Sequence, residues 1–136
     1  YYSGGSLFAG LFGNQQIVSV AMGQIGNSGG QKFWSWYGFD SRVEWCACFV
    51  SWCADKSGLI ASWFQGQGRW KGKGYTPSAG DFIFFDWNKD GQVDHVGIVV
   101  NVANGRVNTI EGNTSNMVAR RSYQLGGIVI VGYGYI

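Results

Sequence analysis

The chain has 136 residues, of which 46% are hydrophobic and 13% are charged, and its formal net charge is +2. This composition is typical of one globular domain with a core and excludes an intrinsically disordered chain. The Lys and Arg residues are few and spread along the sequence, so nucleic-acid binding is not expected, and no apolar run approaches the ~18 residues of a membrane span.

The first segment, YYSGGSLFAGLFGN, is rich in glycine and aromatic residues and shows no period. We interpret residues 1–14 as a linker or a strap, and we expect residues 15–136 to form the domain. The segment lacks the basic region of a signal peptide, and the sequence begins without Met. We therefore expect the chain to be part of a longer multidomain protein.

Two stretches precede the first cysteine. Residues 15–25 carry apolar side chains at helical spacing and are followed by Gly26, which predicts a first helix. Residues 32–42, KFWSWYGFDSR, contain five aromatic residues. Such a density is typical of a core and also of a groove for a sugar or a peptide, and both interpretations stay open.

A helix that begins with a cysteine is the central predicted element. Within residues 44–60, apolar residues follow Cys46 at spacings of three, four and seven, and Gly58 is a stop signal. Cys46 therefore lies in the first turn, where free N–H groups and the helix dipole favour a nucleophilic thiolate. Cys48 and Cys53 are interpreted as small buried residues, because their spacing fits neither a disulfide nor a tetrahedral metal site.

The second half of the chain predicts an antiparallel meander. A short helix within residues 61–70 and a flexible basic loop at 66–74 come first. About five strands follow, at residues 81–86, 95–102, 106–111, 118–123 and 128–135. Asn104-Gly105 is a strong hairpin signal between the second and third of these strands. Two helices followed by such strands predict an α+β fold.

The single histidine, His95, is predicted to begin its strand beside the small Gly97. Strand alternation and the hairpin bring Glu111 or Asn113, on the neighbouring strand, level with His95. A base with an orienting partner, together with the thiolate of Cys46, is what hydrolysis of an amide requires. Cys46 would attack the carbonyl, its own N–H would stabilise the oxyanion, and His95 would carry the proton to the leaving amine.

Three separated motifs also resemble one family. EWCACFVSW, GDFIFFDWNKDGQVDHVGIVV and NTIEGNTS occur in the order typical of CHAP domains, the cysteine- and histidine-dependent amidohydrolases and peptidases. The resemblance covers about residues 15–136 and implies a CHAP-like catalytic domain with a papain-like α+β fold, N-terminal helices packing on the sheet. It places the nucleophile on Cys46, the base on His95, the third residue on Glu111 and an accompanying polar residue on Asn113.

The resemblance also implies a function. CHAP domains cleave amide bonds of bacterial peptidoglycan, as endopeptidases or as N-acetylmuramoyl-L-alanine amidases, in phage endolysins, autolysins and conjugation-associated hydrolases. The expected partner is therefore peptidoglycan, and the expected protein is bacterial or phage-encoded, secreted or cell-wall associated, with no cofactor required. The alternatives are a thiol amidohydrolase acting on a non-wall amide and an inactive cell-wall-binding module.

A second motif lies just before His95. Its pattern, DxNxDGxxD, is the opening of an EF-hand calcium loop and consists of Asp86, Asn88, Asp90, Gly91 and Asp94. A full loop has a bidentate acid at its twelfth position, which is Gly97 here. We favour a polar turn that holds His95 in register, with calcium bound by the four oxygen-bearing side chains as the alternative.

Overall fold

The computed structural model describes residues 14–62, 66 and 68–135, without the side chains of residues 61 and 62. The predicted linker or strap lies, apart from Asn14, outside the described residues, as does part of the short helix predicted within residues 61–70. The described helices are α1 Gln15–Met22, α2 Gln31–Tyr37, α3 Cys46–Lys56 and α4 Leu59–Ser62. The described strands are β1 Arg69–Gly72, β2 Phe82–Phe85, β3 His95–Ala103, β4 Arg106–Thr114, β5 Met117–Gln124 and β6 Ile130–Tyr135.

Helix α1 begins at the predicted residue and ends three residues early. The Asn14 side chain caps it by accepting hydrogen bonds from the backbone N–H groups of Gln16, at 3.2 Å, and Ile17, at 3.4 Å. Its buried face consists of Ile17, Val18 and Ala21. None of the described helices has the length and apolar character needed to cross a membrane.

The aromatic stretch contains helix α2, which the sequence patterns did not predict. Phe33 is fully buried, stacks on Trp45 at a ring distance of 5.7 Å and meets Phe49 edge-on at 5.1 Å. Trp36 and Tyr37, by contrast, are 40% and 53% exposed. The stretch therefore contributes to the core on one side and presents aromatic rings to solvent on the other.

The described strands form one antiparallel sheet in the order β1-β6-β2-β3-β4-β5. Strand β1 corrects one prediction, because the segment expected as a flexible basic loop forms an edge strand. Trp70 lies opposite Gly134 and Gly72 lies opposite Gly132. All four side chains of β1 are exposed, so no alternation of apolar and polar residues marked this strand in the sequence.

The sheet separates two apolar clusters. One face packs Phe82, Val96 and Ile98 against the helices, and the other buries Ile83, Phe85, Val99, Val107 and Tyr133. The hairpin is confirmed, because Asn104 and Gly105 have φ values of 55° and 74°, the positive pair that a type I′ turn requires. Helices on an antiparallel sheet confirm the predicted α+β fold, with six described strands in place of about five.

Helix α3 approaches the sheet very closely at one glycine. A Cβ atom on Gly112 of β4 would come within 2.4 Å of the Cβ atom of Phe49, a fully buried residue of α3. Because residue 112 has no side chain, the cysteine helix can lie directly against the strand that carries Glu111. Gly58, with φ of 82°, lies just beyond this helix, as predicted.

Candidate active site

Cys46 is the first residue of α3, as predicted, and is half-buried. The preceding residue, Trp45, makes no side-chain capping bond, so the first N–H groups of the helix are not occupied by a capping side chain. The N–H of Ala47 is instead directed at the Cys46 thiol, which also accepts from the N–H of Val96 on β3. The helix start and the sheet thus both supply donors to this sulfur.

His95 begins β3 opposite Phe85 and is almost fully buried. Its Nε2 atom lies 2.8 Å from Oε1 of Glu111. An ionised carboxylate only accepts hydrogen bonds, so Nε2 carries a proton and Nδ1 remains for exchange with the thiol. The Cys46 thiol faces this imidazole closely enough for each group to shift the pKa of the other. The structure therefore brings together three of the four predicted site residues, Cys46, His95 and Glu111.

Glu111 is held in place by two residues that were not predicted as site residues from the sequence. It is fully buried and accepts hydrogen bonds from the hydroxyl groups of Thr109 and Tyr123, the latter at 2.7 Å from Oε2. Thr109 lies two residues earlier on the same strand, so alternation could have indicated it. Tyr123 comes from β5 and depends on the pairing of two strands, which no local pattern reports.

Gly97 leaves the space that Glu111 occupies. A Cβ atom on Gly97 would lie 2.6 Å from Cγ of Glu111. Any larger residue at position 97 would therefore displace the carboxylate from His95. The predicted placement of His95 beside a small residue is confirmed, and the small residue makes room for the orienting group on the adjacent strand.

For both Cys46 and His95, burial shifts the pKa in one direction and the neighbouring groups shift it in the other. Burial by itself raises the pKa of the Cys46 thiol, but the hydrogen bond and charge of His95, with the two backbone N–H groups, lower it below the usual value. Burial also disfavours the charged imidazole, yet hydrogen bonds to Cys46 and Glu111, and the charges of both, raise the pKa of His95 to about 9. Both shifts favour a thiolate–imidazolium pair at neutral pH.

Two aromatic rings contact the imidazole, and a third packs against both of them. The ring of Phe85 lies 5.7 Å from that of His95, and the ring of Trp87 lies at 5.8 Å. Tyr123 contacts both of these aromatic rings, at 4.8 Å and 5.7 Å. This packing restricts rotation of the imidazole and keeps water from the His95–Glu111 hydrogen bond, which strengthens it.

Asn113 is not brought to His95. Its Oδ1 atom accepts from Nη2 of Arg42 at 2.8 Å, and its Nδ2 group donates to Glu44. The register of β4 against β5 shifts between Glu111 and Thr114, and Asn113 has a φ of 59°. This irregularity breaks the alternation that predicted Glu111 and Asn113 on one face. In the described structure, Asn113 instead connects the end of β4 to the segment that precedes α3.

The interpretation of the other two cysteines as small buried residues is confirmed. Cys48 and Cys53 are buried, and neither forms a disulfide. Burial raises the pKa of both thiols, and for Cys48 the nearby Cys46 adds to the effect. Both therefore remain protonated at neutral pH.

The acidic loop before His95 is a compact turn built on its own backbone. Asp86 accepts from the N–H groups of Asp90, at 3.2 Å, and Gly91, at 2.8 Å. Asp94 accepts from the N–H of Trp87 at 3.1 and 3.0 Å. Among the described residues, no three His, Cys, Asp or Glu side chains gather as metal ligands. These bonds support the predicted role of the loop in positioning His95, and the expectation that no cofactor is required stays a prediction.

An apolar groove of about 510 Å³ lies on the helix side of the sheet. Its lining includes Trp70, Phe84, Val93 and Val131. Phe84 pairs with Val96, whose N–H is directed at the Cys46 sulfur, and Val93 lies two residues before the imidazole. The groove therefore lies beside the strands that carry these two residues.

Known proteins provide an independent comparison. The crystal structure of Ly7917 has 15% sequence identity and a TM-score of 0.60, over 89% of this chain and 61% of that chain. A crystal structure of Ly7917 with the hydrolyzing product of MDP has 18% identity and a TM-score of 0.49, over 66% and 52% of the two chains. The chain thus spans less than two thirds of Ly7917, and the likeness concerns the fold.

No curated protein sequence matches this chain significantly. The model of the CHAP domain matches residues 36–113, more than half of the chain, and this range includes all four predicted site residues. With the three motifs in family order and an α+β fold shared with Ly7917, the chain belongs to the CHAP domain family.

Proposed function

We propose that this protein hydrolyses amide bonds of bacterial peptidoglycan by cysteine nucleophile catalysis. The observation that carries the proposal is the continuous contact from Cys46 through His95 to Glu111, with Nε2 and Oε1 only 2.8 Å apart in a buried setting. Membership of the CHAP family supports the same reaction class. The opposite pKa shifts of the thiol and the imidazole support Cys46 as the nucleophile and His95 as its base.

In the proposed reaction, the Cys46 thiolate attacks the amide carbonyl and forms a carbon–sulfur bond. The backbone N–H of Cys46 at the helix start stabilises the oxyanion. His95 then transfers its proton to the amide nitrogen, the carbon–nitrogen bond breaks, and the amine leaves. Water, deprotonated by His95, attacks the thioester and releases the carboxylic acid and the free thiol, which restores the enzyme.

Glu111 acts through His95. Its carboxylate accepts a hydrogen bond from the Nε2–H group, fixes the tautomer and stabilises the imidazolium that forms during the reaction. The hydroxyl groups of Thr109 and Tyr123 hold this carboxylate in position. Asn113 takes no direct part in our proposal, because its side chain is bonded to Arg42 and Glu44.

Two exposed apolar surfaces suit an extended substrate. The apolar groove is lined by the exposed Trp70, and the exposed rings of Trp36 and Tyr37 offer flat apolar faces. Aromatic faces of this kind contact sugar rings and peptide methylene groups. We therefore propose peptidoglycan as the partner and the cell wall or the extracellular space as the site of action.

Digestion of purified peptidoglycan tests the proposal. We expect the wild-type protein to release new amino groups without new reducing sugar ends, and Cys46→Ala to release neither. New reducing ends without amines would contradict amide hydrolysis. Activity confined to small peptide amides would favour the non-wall amidohydrolase, and binding without cleavage would favour the inactive wall-binding module.

Peptidoglycan contains two kinds of amide bond that this protein could cut. A protease-like site favours a bond within the stem peptide or cross-bridge over the bond between muramic acid and alanine. Mass spectrometry of the soluble fragments separates the two specificities. Stem peptides released intact from the glycan would instead identify an N-acetylmuramoyl-L-alanine amidase.

A further inference from the structure

The pairing of β4 with β5 places two arginines that are apart in the sequence, Arg106 and Arg120, on one face of the sheet. Asn108 lies opposite Ser122, and Asn101 of β3 lies opposite Asn108. Arg106 and Arg120 are two residues from Asn108 and Ser122, so alternation places them on the same face of the sheet. A concavity of about 370 Å³ opens here, and Arg106 lies beside it, bonded to Ser122. The residues that line the concavity include Asn101, Asn108, Thr109, Arg120 and Ser122.

This part of the sheet carries positive charge without exposed negative charge. From residue 95 onward, the chain contains one carboxylate residue, Glu111, which is fully buried and already accepts three hydrogen-bond partners. All eight Asp and Glu residues lie within the described ranges, and none forms an ion pair with Arg106, Arg120 or Arg121. The positive charge of this surface is therefore not neutralised by the chain itself.

Hydrogen bonds hold the polar groups of this surface in fixed positions. Arg106 donates from Nε to the Ser122 hydroxyl at 2.8 Å and from Nη2 to the Ser122 carbonyl at 3.0 Å. Asn108 donates to Asn101 at 2.7 Å. An arginine has five N–H donors, so each guanidinium keeps several for a ligand.

We propose that this basic concavity binds the phosphodiester groups of an anionic wall polymer with flexible, hydroxylated repeat units. The planar fork of arginine matches the geometry of phosphate oxygens, and the asparagine and serine groups suit neighbouring hydroxyls. The described lining includes no aromatic ring, which disfavours single-stranded nucleic acid, since such sites stack bases on aromatic side chains.

Thr109, which bonds Glu111, borders the concavity, but the side chains of Asn108 and Glu111 lie on opposite faces of β4 by strand alternation. Asn101 lies six residues along β3 from His95, which is about 20 Å at the usual rise of a strand. Binding here would hold the protein on the wall while the candidate active site receives the peptidoglycan. The inference rests on the proposed function only in its choice of a wall polymer as the phosphodiester.

Calorimetric titration with poly(glycerol phosphate) tests the proposal. We expect the wild-type chain and Cys46→Ala to bind equally, and Arg120→Gln to weaken binding about tenfold, as expected for one lost charge-assisted contact. The slope of log affinity against log salt should fall by about 0.7, the value for one phosphate contact on a single strand. Arg120→Lys should retain part of the affinity, since it keeps the charge and loses the fork.

Lys73→Gln is the matched control, because it removes one exposed positive charge elsewhere and should leave binding unchanged. Equal losses in Lys73→Gln and Arg120→Gln would overturn the site in favour of non-specific attraction. Failure of the wild-type protein to bind, or equal binding of oligothymidylate, would overturn the chosen ligand. Arg120→Gln should still digest polymer-free peptidoglycan at the wild-type rate, so failure of this inference and failure of the proposed function are separable.

Discussion

Two positions on helix α3 carry the same side chain in opposite chemical states. Cys46, at the helix start, meets the imidazole of His95 and two backbone N–H groups, which lower the pKa of its thiol. Cys53, two turns later, is fully buried, and that burial raises the pKa of its thiol. The helix is the same, so reactivity depends on what each turn faces and not on the residue type.

Replacing Cys46, the reactive cysteine of this pair, should have the largest effect. Cys46→Ala should abolish hydrolysis of purified peptidoglycan and leave folding intact, because the side chain is only half-buried. Cys48→Ala and Cys53→Ala should keep most of the activity. Circular dichroism controls for folding, and an active, folded Cys46→Ala protein would disprove the role of this thiol.

A second prediction concerns Glu111, the partner of His95. Glu111→Gln should lower kcat about 10²-fold, because the imidazolium loses its buried negative partner. Asn113→Ala should have a smaller effect, because Asn113 contacts Arg42 and Glu44. Steady-state rates for both variants test this order. The reverse order would make Asn113 the orienting residue.

A third prediction concerns the dependence of the rate on pH, which should follow the protonation of His95. The pKa of His95 is raised to about 9, so kcat/KM should fall as pH rises through 9 and the imidazolium loses its proton. Protonated His95 also stabilises the folded state. This stabilisation is fully present below the ordinary histidine pKa of about 6.5 and is lost as the pH rises through about 9. Glu111→Gln should move the alkaline limb to lower pH. An unchanged limb in this variant would contradict the assigned partner.

A fourth, smaller effect should follow from Tyr123→Phe. Removing the hydroxyl deprives buried Glu111 of a donor, which should cost about 1–3 kcal/mol in the free energy of unfolding and lower the rate several-fold. Urea denaturation measures the loss. Tyr37→Phe, at a half-exposed ring, is the matched control and should change neither quantity. Equal stability of the two variants would argue against the hydroxyl as a support for Glu111.

The smallest expected effect is that of a chelator. The carboxylates of Asp86 and Asp94 accept backbone hydrogen bonds that already hold the turn before His95. EDTA should therefore leave both the hydrolysis rate and the melting temperature unchanged. A drop in melting temperature that added calcium restores would instead support calcium binding by this loop.

Much of the site follows from short-range patterns in the sequence. Helical spacing placed Cys46 at the start of α3, and strand alternation with the Asn104-Gly105 hairpin brought Glu111 level with His95. Each of these inferences depends on the periodicity of one element or on one tight turn, which neighbouring residues determine. The family motifs lie on these same elements, so the resemblance and the spacing led to the same residues.

Only the tertiary structure decided the remainder. Strand β1 has no alternation of apolar and polar residues to mark it, and its pairing with β6 defines it. The register shift after Glu111 turned Asn113 away from His95, and the pairing of β4 with β5 brought Tyr123 to Glu111 and Arg106 to Ser122. Register and its irregularities depend on contacts between distant segments, and a pattern read along one segment does not contain them.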